Sequence, residues 1–240
     1  TASEVSRSIV ISDNATGLKH GLGNMEMMPD IAICDPEVTA SMPAKITAET
    51  GMDALTHALE ALASTRANYV SDILATQSAI DIMETLPIAY ENGADMHARE
   101  IMLQASMVAG MAFTNVSLGI VHSMARTLGG MFHVAHGLAD AILLPYIIRY
   151  NSTDAKAKEV YDTFAKKVGA ENLYEAVEKL NKRLNIPSCL QEVIPDEVAF
   201  VEKLDEMAAL AKADGCTKTN PIIPELEEFK ELFMKAYRGE

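Results

Sequence analysis

The segment GMDALTHALE, residues 51–60, carries the strongest structural signal in this chain. Its Asp53 and His57 are four residues apart, so on a helix both side chains project from one face, one turn apart. The neighbouring residues are mostly apolar, which predicts that this helix is largely buried. A buried carboxylate and a buried imidazole are costly unless something pairs with them, and a divalent metal ion binds both. The segment therefore predicts half of a metal site.

Two other histidines are candidates for the second half of that site. His122 begins the run HSMAR, and His136 precedes Gly137, both among small or apolar residues. Together with Asp53 and His57 they offer one carboxylate and three imidazoles, a donor set that suits Fe(II), Zn(II) or a similar first-row ion. A lone histidine on an apolar helix is more often an ordinary core residue, so it is the combination that favours the metal interpretation.

The remaining histidines are expected to lie outside that donor set. His133 follows Gly129-Gly130 in a predicted loop, so we expect it at the rim of the pocket. His20 and His97 lie among polar residues and are expected to face solvent.

Composition excludes several classes of protein. The chain has 240 residues and a formal net charge of −14, which argues against a nucleic-acid binder because phosphate contacts need clustered Lys and Arg. No run of 18 residues is free of polar interruption, and the first residues lack a secretory signal, so we predict no membrane span and no export. Three widely spaced cysteines form neither a zinc-finger pattern nor a disulfide framework, which favours a reducing cytoplasm.

The first 45 residues read differently from the rest. A β-type run over residues 5–11 precedes a turn signal at residues 14–17, and residues 31–34 are a short candidate strand. Two or three short strands do not form a stable sheet alone, so this opening resembles the end of a larger unit. From about Lys45 the apolar residues recur at helical spacing.

The predicted class is mainly α: a helical, bundle-like domain with a short β-containing N-terminal extension. Pro87 is expected to bend or break the second helix, and Gly129-Gly130 to join the fourth helix to the fifth. The predicted helices cover residues 47–64, 68–92, 96–114, 120–129, 134–149, 156–168, 173–184, 196–213 and 225–237.

Several of these segments resemble the iron-dependent (group III) alcohol dehydrogenases. The similar segments are residues 1–5, 51–60, 109–125, 136–145, 214–216 and 219–221. The resemblance covers essentially the whole chain and implies the helical C-terminal domain of a dehydroquinate synthase-like fold. It also implies a metal-dependent enzyme in which the metal binds the alcohol oxygen, and a hydride passes between a small alcohol and NAD(P).

The resemblance also implies roles for individual residues. It assigns the metal, Fe(II) with Zn(II) as an alternative, to Asp53, His57, His122 and His136. It places Val10, Phe113 and Cys216 at the substrate pocket and Lys19 at the cofactor.

Two positions depart from the family's usual pattern. Arg126 stands where a second histidine is usual, four residues after His122, and is expected to point toward the site. There it would bind a substrate carboxylate or a cofactor phosphate, although it cannot relay protons as an imidazole can. Asp140 stands where asparagine is usual, and we expect it to pair with Arg126.

The family's glycine-serine loop for the pyrophosphate has no counterpart, because Gly21-Leu22-Gly23 lacks the strand–turn–helix context. We therefore interpret residues 1–45 as a linking remnant of an absent α/β nucleotide-binding domain and residues 46–240 as the helical metal-binding domain. Most of the NAD(P) contacts would belong to the absent domain, and the isolated chain would be inactive.

Two alternatives remain open. One is a non-catalytic helical domain that keeps the metal for stability or serves in assembly. For either function the expected partners are a small alcohol or aldehyde and a second copy of the chain in a homodimer. The other is a metal enzyme of the dehydroquinate synthase or glycerol dehydrogenase type, whose ligand patterns fit less well.

Overall fold

The computed structural model describes residues 1–13 and 19–240, with only the backbone described for Ser12, Lys19 and His20. This part of the chain is 71% helical and has one two-stranded sheet, which confirms the mainly α class. The helices are α1 Ala44–Ala63, α2 Tyr69–Glu91, α3 Met96–Val116, α4 Ile120–Met131, α5 His136–Asn151, α6 Ala155–Lys167, α7 Leu173–Arg183, α8 Glu197–Ala213 and α9 Leu226–Arg238.

Helix α1 is the centre of the fold. Between Thr47 and Leu62 every residue except Thr50 is buried, because α2, α3 and α5 all pack against it. The contact with α2 is especially close at Gly51, where an added Cβ would lie 2.3 Å from a methyl carbon of Leu86. The helix is therefore buried on nearly all sides, as the segment at residues 51–60 predicts.

The other helices form two groups around this centre. Helices α2 and α3 pack together on one side of α1, while α5 connects α1 to α4 and α7. Helix α4 also packs on α8, and α8 on α9. Most helices begin at side-chain caps that satisfy their first free N–H groups. These caps are Asn68, Asp95, Asp154, Asn172 and Asp196.

The N-terminal extension contains one hairpin. Strand β1 (Ser8–Ser12) pairs antiparallel with β2 (Lys19–Gly23), with Ser8 opposite Gly23. The turn signal predicted at residues 14–17 lies outside the described residues. The predicted strand at residues 31–34 is wrong: that segment has no regular structure, and Ile31 and Ile33 are 79% and 83% exposed. Its apolar residues find no neighbouring strand, and pairing is what stabilises a strand.

Helix α2 is not broken at Pro87 and continues to Glu91, since the proline costs one backbone hydrogen bond while its buried neighbours keep the helix packed. The predicted connection between α4 and α5 is wrong. Gly129-Gly130 lies inside α4, and the connection to α5 is residues 132–135 instead. Close packing of α4 against α5 and α8 outweighs the low helix propensity of glycine.

Within the described residues, no single helix combines the length and apolar composition needed to cross a membrane. Helices α3 and α4 reach that threshold only when joined, and they meet at a bend of 106°. All three cysteines are free, as the spacing predicts. The division of the chain at residue 45 stays a prediction.

Candidate metal centre

Helix α1 supplies a carboxylate and an imidazole from one buried face. Asp53 is 4% exposed, and His57 Nε2 lies 3.5 Å from its Oδ1. The other carboxylate oxygen accepts a 2.5 Å hydrogen bond from the hydroxyl of Thr1, which also lies 3.2 Å from His57 Nδ1. Because Nδ1 faces Thr1, the Nε2 atom of His57 is the one that faces Asp53.

Helix α4 adds His122, whose ring is held by a second carboxylate of α1. His122 Nδ1 lies 2.6 Å from Glu60 Oε2, and Nε2 lies 3.4 Å from Asp53 Oδ1. The other Glu60 oxygen accepts from the backbone N–H of Val121 at 2.7 Å, so Glu60 is fixed at both ends. A carboxylate that accepts from Nδ1 leaves the lone pair on Nε2, directed at the site.

Sequence reasoning assigned no role to Glu60, although a signal was present. Glu60 follows Asp53 by seven residues and His57 by three, so it shares their helical face. Only the fold, however, brings His122 to it across 62 positions of sequence.

Helix α5 brings His136 to the same point from the opposite side. Its Nε2 lies 3.9 Å from Asp53 Oδ1, and its side chain is 35% exposed, so the cluster opens toward solvent here. The approach depends on Gly137, where an added Cβ would lie 2.1 Å from the carbonyl oxygen of Glu49 on α1. The backbones of α1 and α5 therefore touch where His136 meets Asp53.

A fifth group, Asp140, lies one turn after His136 on the same face of α5. Its side chain is 0% exposed, and Oδ2 lies 3.4 Å from His136 Nε2. Single ligand atoms from four of these residues all lie within 4.8 Å of one another: Asp53, His122, His136 and Asp140. We name the full set of Asp53, His57, His122, His136 and Asp140 the histidine–carboxylate cluster.

The cluster fits a metal ion. Three imidazole Nε2 atoms lie within 3.9 Å of one oxygen, Asp53 Oδ1. Donors bound at about 2.1 Å in a tetrahedral site are separated by about 3.4 Å, which is close to these distances. Among the described residues, Asp53 Oδ1, His122 Nε2 and both oxygens of Asp140 are buried with no hydrogen-bond partner. Such convergent lone pairs are costly unless a cation pairs with them.

The pKa shifts of the cluster also indicate that it favours a bound cation. Burial alone raises the pKa of Asp53, but the imidazoles of His57 and His122 outweigh it and hold that pKa well below its ordinary value. Burial also lowers the pKa of His122, and the carboxylates of Asp140 and Glu60 reverse this, leaving that pKa well above its usual range. Burial lowers the pKa of His57 and raises that of Asp140. The carboxylates thus draw positive charge onto His122, charge that a divalent ion would supply.

One of the predicted pocket residues, Phe113, lies directly against this cluster. The ring of Phe113, on α3, lies 4.5 Å from the ring of His57 and covers one side of it. Val10 lies on β1 and is half-exposed, while Cys216 is buried, with a backbone N–H that donates to Asp214. Lys19 lies in β2, and its side chain is outside the described part. His133 and His97 are exposed, and the side chain of His20 is not described.

The predicted pairing of Arg126 with Asp140 is wrong. Arg126 Nη1 donates to both carboxylate oxygens of Asp214, at 2.9 and 2.7 Å. Asp140 is closer in sequence, but Asp214 follows α8, which packs against α4. Burial alone raises the pKa of Asp214, yet Arg126 outweighs it and holds that pKa below its ordinary value.

Comparison with known proteins gives a family match over most of the chain. Residues 47–237 match the Fe-containing alcohol dehydrogenase family, C-terminal. The NADPH-dependent butanol dehydrogenase of Clostridium saccharobutylicum is 41% identical over all of this chain and 63% of that relative. The 1-propanol dehydrogenase of Citrobacter freundii is 39% identical over 97% of this chain and 66% of its own length.

Solved structures agree with the sequence relatives. The iron-containing alcohol dehydrogenase of Thermococcus thioreducens superposes with a TM-score of 0.93 at 35% identity, over all of this chain and 62% of that one. A 1,3-propanediol oxidoreductase gives a TM-score of 0.92 at 37% identity, over 99% of this chain and 63% of that one. The chain thus spans somewhat less than two thirds of the length of these relatives.

Proposed function

The chain belongs to the Fe-containing alcohol dehydrogenase family, and from this premise we propose that it is the metal-binding part of an enzyme that interconverts a small alcohol and its aldehyde or ketone with NAD(P). The observation that carries the proposal is the convergence of three imidazole Nε2 atoms on one buried oxygen of Asp53. A structural core histidine has its polar atoms satisfied by the protein, whereas here buried lone pairs converge on one point.

Asp53, His57, His122 and His136 are the residues that would hold the ion, with Fe(II) preferred and Zn(II) as the alternative. When bound, such an ion supplies Lewis acidity, which lowers the pKa of an alcohol hydroxyl or polarises a carbonyl. Imidazole ligands suit both metals, so it is the family, the Fe-containing alcohol dehydrogenases, that supports iron.

The surrounding residues prepare the site for that chemistry. Glu60 fixes the ring of His122 and its tautomer through a 2.6 Å contact, so the Nε2 lone pair is already directed inward. Phe113 packs on the His57 ring and keeps that side apolar, which excludes water. The partly exposed His136 marks the side from which substrate enters.

The substrate we propose is a short primary alcohol or its aldehyde. Two relatives carry the names butanol dehydrogenase and 1-propanol dehydrogenase, and these names support chains of three or four carbons. Val10, Phe113 and Cys216 remain the proposed pocket residues and Lys19 the proposed cofactor contact. Arg126 is engaged with Asp214, so we assign it no direct contact with substrate. We further propose a cytoplasmic protein that forms homodimers, which size-exclusion chromatography with light scattering would test.

Metal analysis with one ligand variant tests the proposal. We expect the purified protein to hold close to one equivalent of iron or zinc, measured by elemental mass spectrometry, and Asp53→Asn to lose most of it. The control is Asp72→Asn, an exposed carboxylate on α2, which should keep the metal.

Activity is tested separately. Alcohol-dependent NAD(P) reduction with 1-propanol and 1-butanol should be measured for the protein alone and mixed with the remaining part of the butanol dehydrogenase. A protein that binds no metal would contradict the proposal. Bound metal without turnover in any mixture would favour the non-catalytic alternative.

A further inference from the structure

We propose that Asp140 is a fifth protein donor to the divalent ion, so that the centre has two carboxylates and three imidazoles. This inference rests on the proposed function, because it needs the ion to be there. It goes beyond the ligand set implied by the family resemblance, which contains Asp53 as its only carboxylate.

The position of Asp140 is the first support. It lies four residues after His136 on α5, so both side chains project from one face, as Asp53 and His57 do on α1. Two helices that touch at Gly137 thus each present a carboxylate and an imidazole, one turn apart, to the same space. An oxygen of Asp140 lies within 4.8 Å of ligand atoms of Asp53, His122 and His136.

The burial of Asp140 is the second support. Its side chain is 0% exposed, and neither of its oxygens has a hydrogen-bond partner among the described residues. The cation expected to pair with it, Arg126, is bound to Asp214 instead. The nearest imidazole nitrogen, His136 Nε2, lies 3.4 Å from Asp140 Oδ2, and a metal ion that accepts a lone pair of this buried carboxylate would lower the cost of burying it.

The local charge is the third support. Asp53, Glu60 and Asp140 all face His122, so three carboxylates surround one imidazole that is itself completely buried. Asp140 is fully buried among these groups, with one oxygen within 4.8 Å of ligand atoms of Asp53 and His122, so an added cation would lie between two carboxylates. A divalent ion would be balanced by Asp53 and Asp140, while Glu60 stays with His122 Nδ1.

This assignment has a consequence for the choice of metal. Carboxylate oxygens suit harder ions such as Mn(II), whereas imidazole-rich sites suit zinc. A second carboxylate therefore shifts the preference of the site from Zn(II) toward Mn(II) and Fe(II). Removing only the charge of Asp140 should shift the preference back.

A metal competition experiment tests this directly. Metal-free protein is mixed with equal concentrations of Mn(II) and Zn(II), desalted, and analysed by elemental mass spectrometry. We expect Asp140→Asn to lower the ratio of bound Mn(II) to Zn(II) by about tenfold or more. The matched control is Glu49→Gln, a buried carboxylate one turn before Asp53 that lies outside the cluster. Circular dichroism checks folding, and Asp140→Ser is measured in parallel in case the amide variant misfolds.

The outcomes separate this inference from the proposed function. An unchanged Mn(II)-to-Zn(II) ratio in folded Asp140→Asn or Asp140→Ser, with metal still lost in Asp53→Asn, overturns the role of Asp140 alone. Wild-type protein that binds neither ion overturns the proposed metal centre. A drop in the ratio for Asp140→Asn but not for Glu49→Gln supports the fifth donor.

Discussion

Two charged groups on helix α4, one turn apart, lie in opposite electrostatic surroundings. His122 faces three carboxylates, and several buried lone pairs beside it have no hydrogen-bond partner in the part of the chain that the structure describes. Arg126 faces Asp214, and one guanidinium nitrogen donates to both of its oxygens. The first group has an excess of negative charge that needs an added cation, whereas the second is balanced within the chain. The comparison shows that burial and charge alone do not identify a metal site; unpartnered lone pairs of several groups that converge on one point do.

The largest expected effect comes from Gly137→Ala. Its Cβ would lie 2.1 Å from a backbone oxygen of α1, so α5 must move away and carry His136 and Asp140 with it. We expect a loss of about 3 kcal/mol in the free energy of unfolding and loss of metal binding. Urea denaturation and elemental analysis measure these two quantities. The Arg126–Asp214 pair does not involve α1 or α5, so we expect it to stay intact in this variant. Wild-type stability and full metal content in this variant would mean that the helix contact is not needed for the cluster.

A smaller effect is expected from Glu60→Gln. The amide keeps the size of the side chain but removes the charge that holds the Nδ1–H of His122. Metal affinity should fall by about 10- to 100-fold, with only a minor change in the stability of the metal-free protein. Competition with a fluorescent chelator gives the affinity, and Asp72→Asn is again the control. If affinity stayed the same, Glu60 would have only a structural role in capping α4.

The smallest effect is expected from Asp214→Asn, which removes the charge that pairs with Arg126. It should destabilise the protein by about 1 to 2 kcal/mol at pH 7 and leave metal affinity unchanged. The pKa of Asp214 is held below its value in the unfolded chain, so the unfolded state binds the proton more readily as pH falls. The stabilisation is therefore complete above about pH 4 and is lost as pH falls through the pKa of the folded state.

Thermal denaturation from pH 7 to pH 3 should show the wild type and Asp214→Asn converging at the acid end. Curves that stay parallel over the whole range would contradict a stabilising role for the ionised pair. A change in the metal affinity of Asp214→Asn would mean that the Arg126–Asp214 pair affects the site at His122, contrary to our expectation that the two are independent.

Much of the architecture follows from local sequence patterns. Apolar spacing and caps such as Asn68 and Asp95 locate the helices to within a few residues, because those signals act over one or two turns. The predicted helix end at Gly129-Gly130 was wrong, and Pro87 did not break α2, because both expectations rested on local signals alone. Local propensity costs a few kcal/mol at most, and packing against neighbouring helices outweighs it.

The strand predicted at residues 31–34 was wrong because its apolar residues are exposed. Ile31 and Ile33 resemble a buried strand in sequence but are among the most exposed apolar residues of the described chain. A strand needs a partner, and an apolar run does not show whether one is present.

The sequence by itself determined that Asp53 and His57 share one face of a buried helix, because a four-residue spacing fixes that relation within a single turn. It also carried the family resemblance, which the comparisons confirm. Only the tertiary structure decided that Glu60 holds His122, that Arg126 pairs with Asp214 and that Asp140 lies close to Asp53 and His122. These contacts join different helices, and helix packing, which no local spacing encodes, sets which side chains meet.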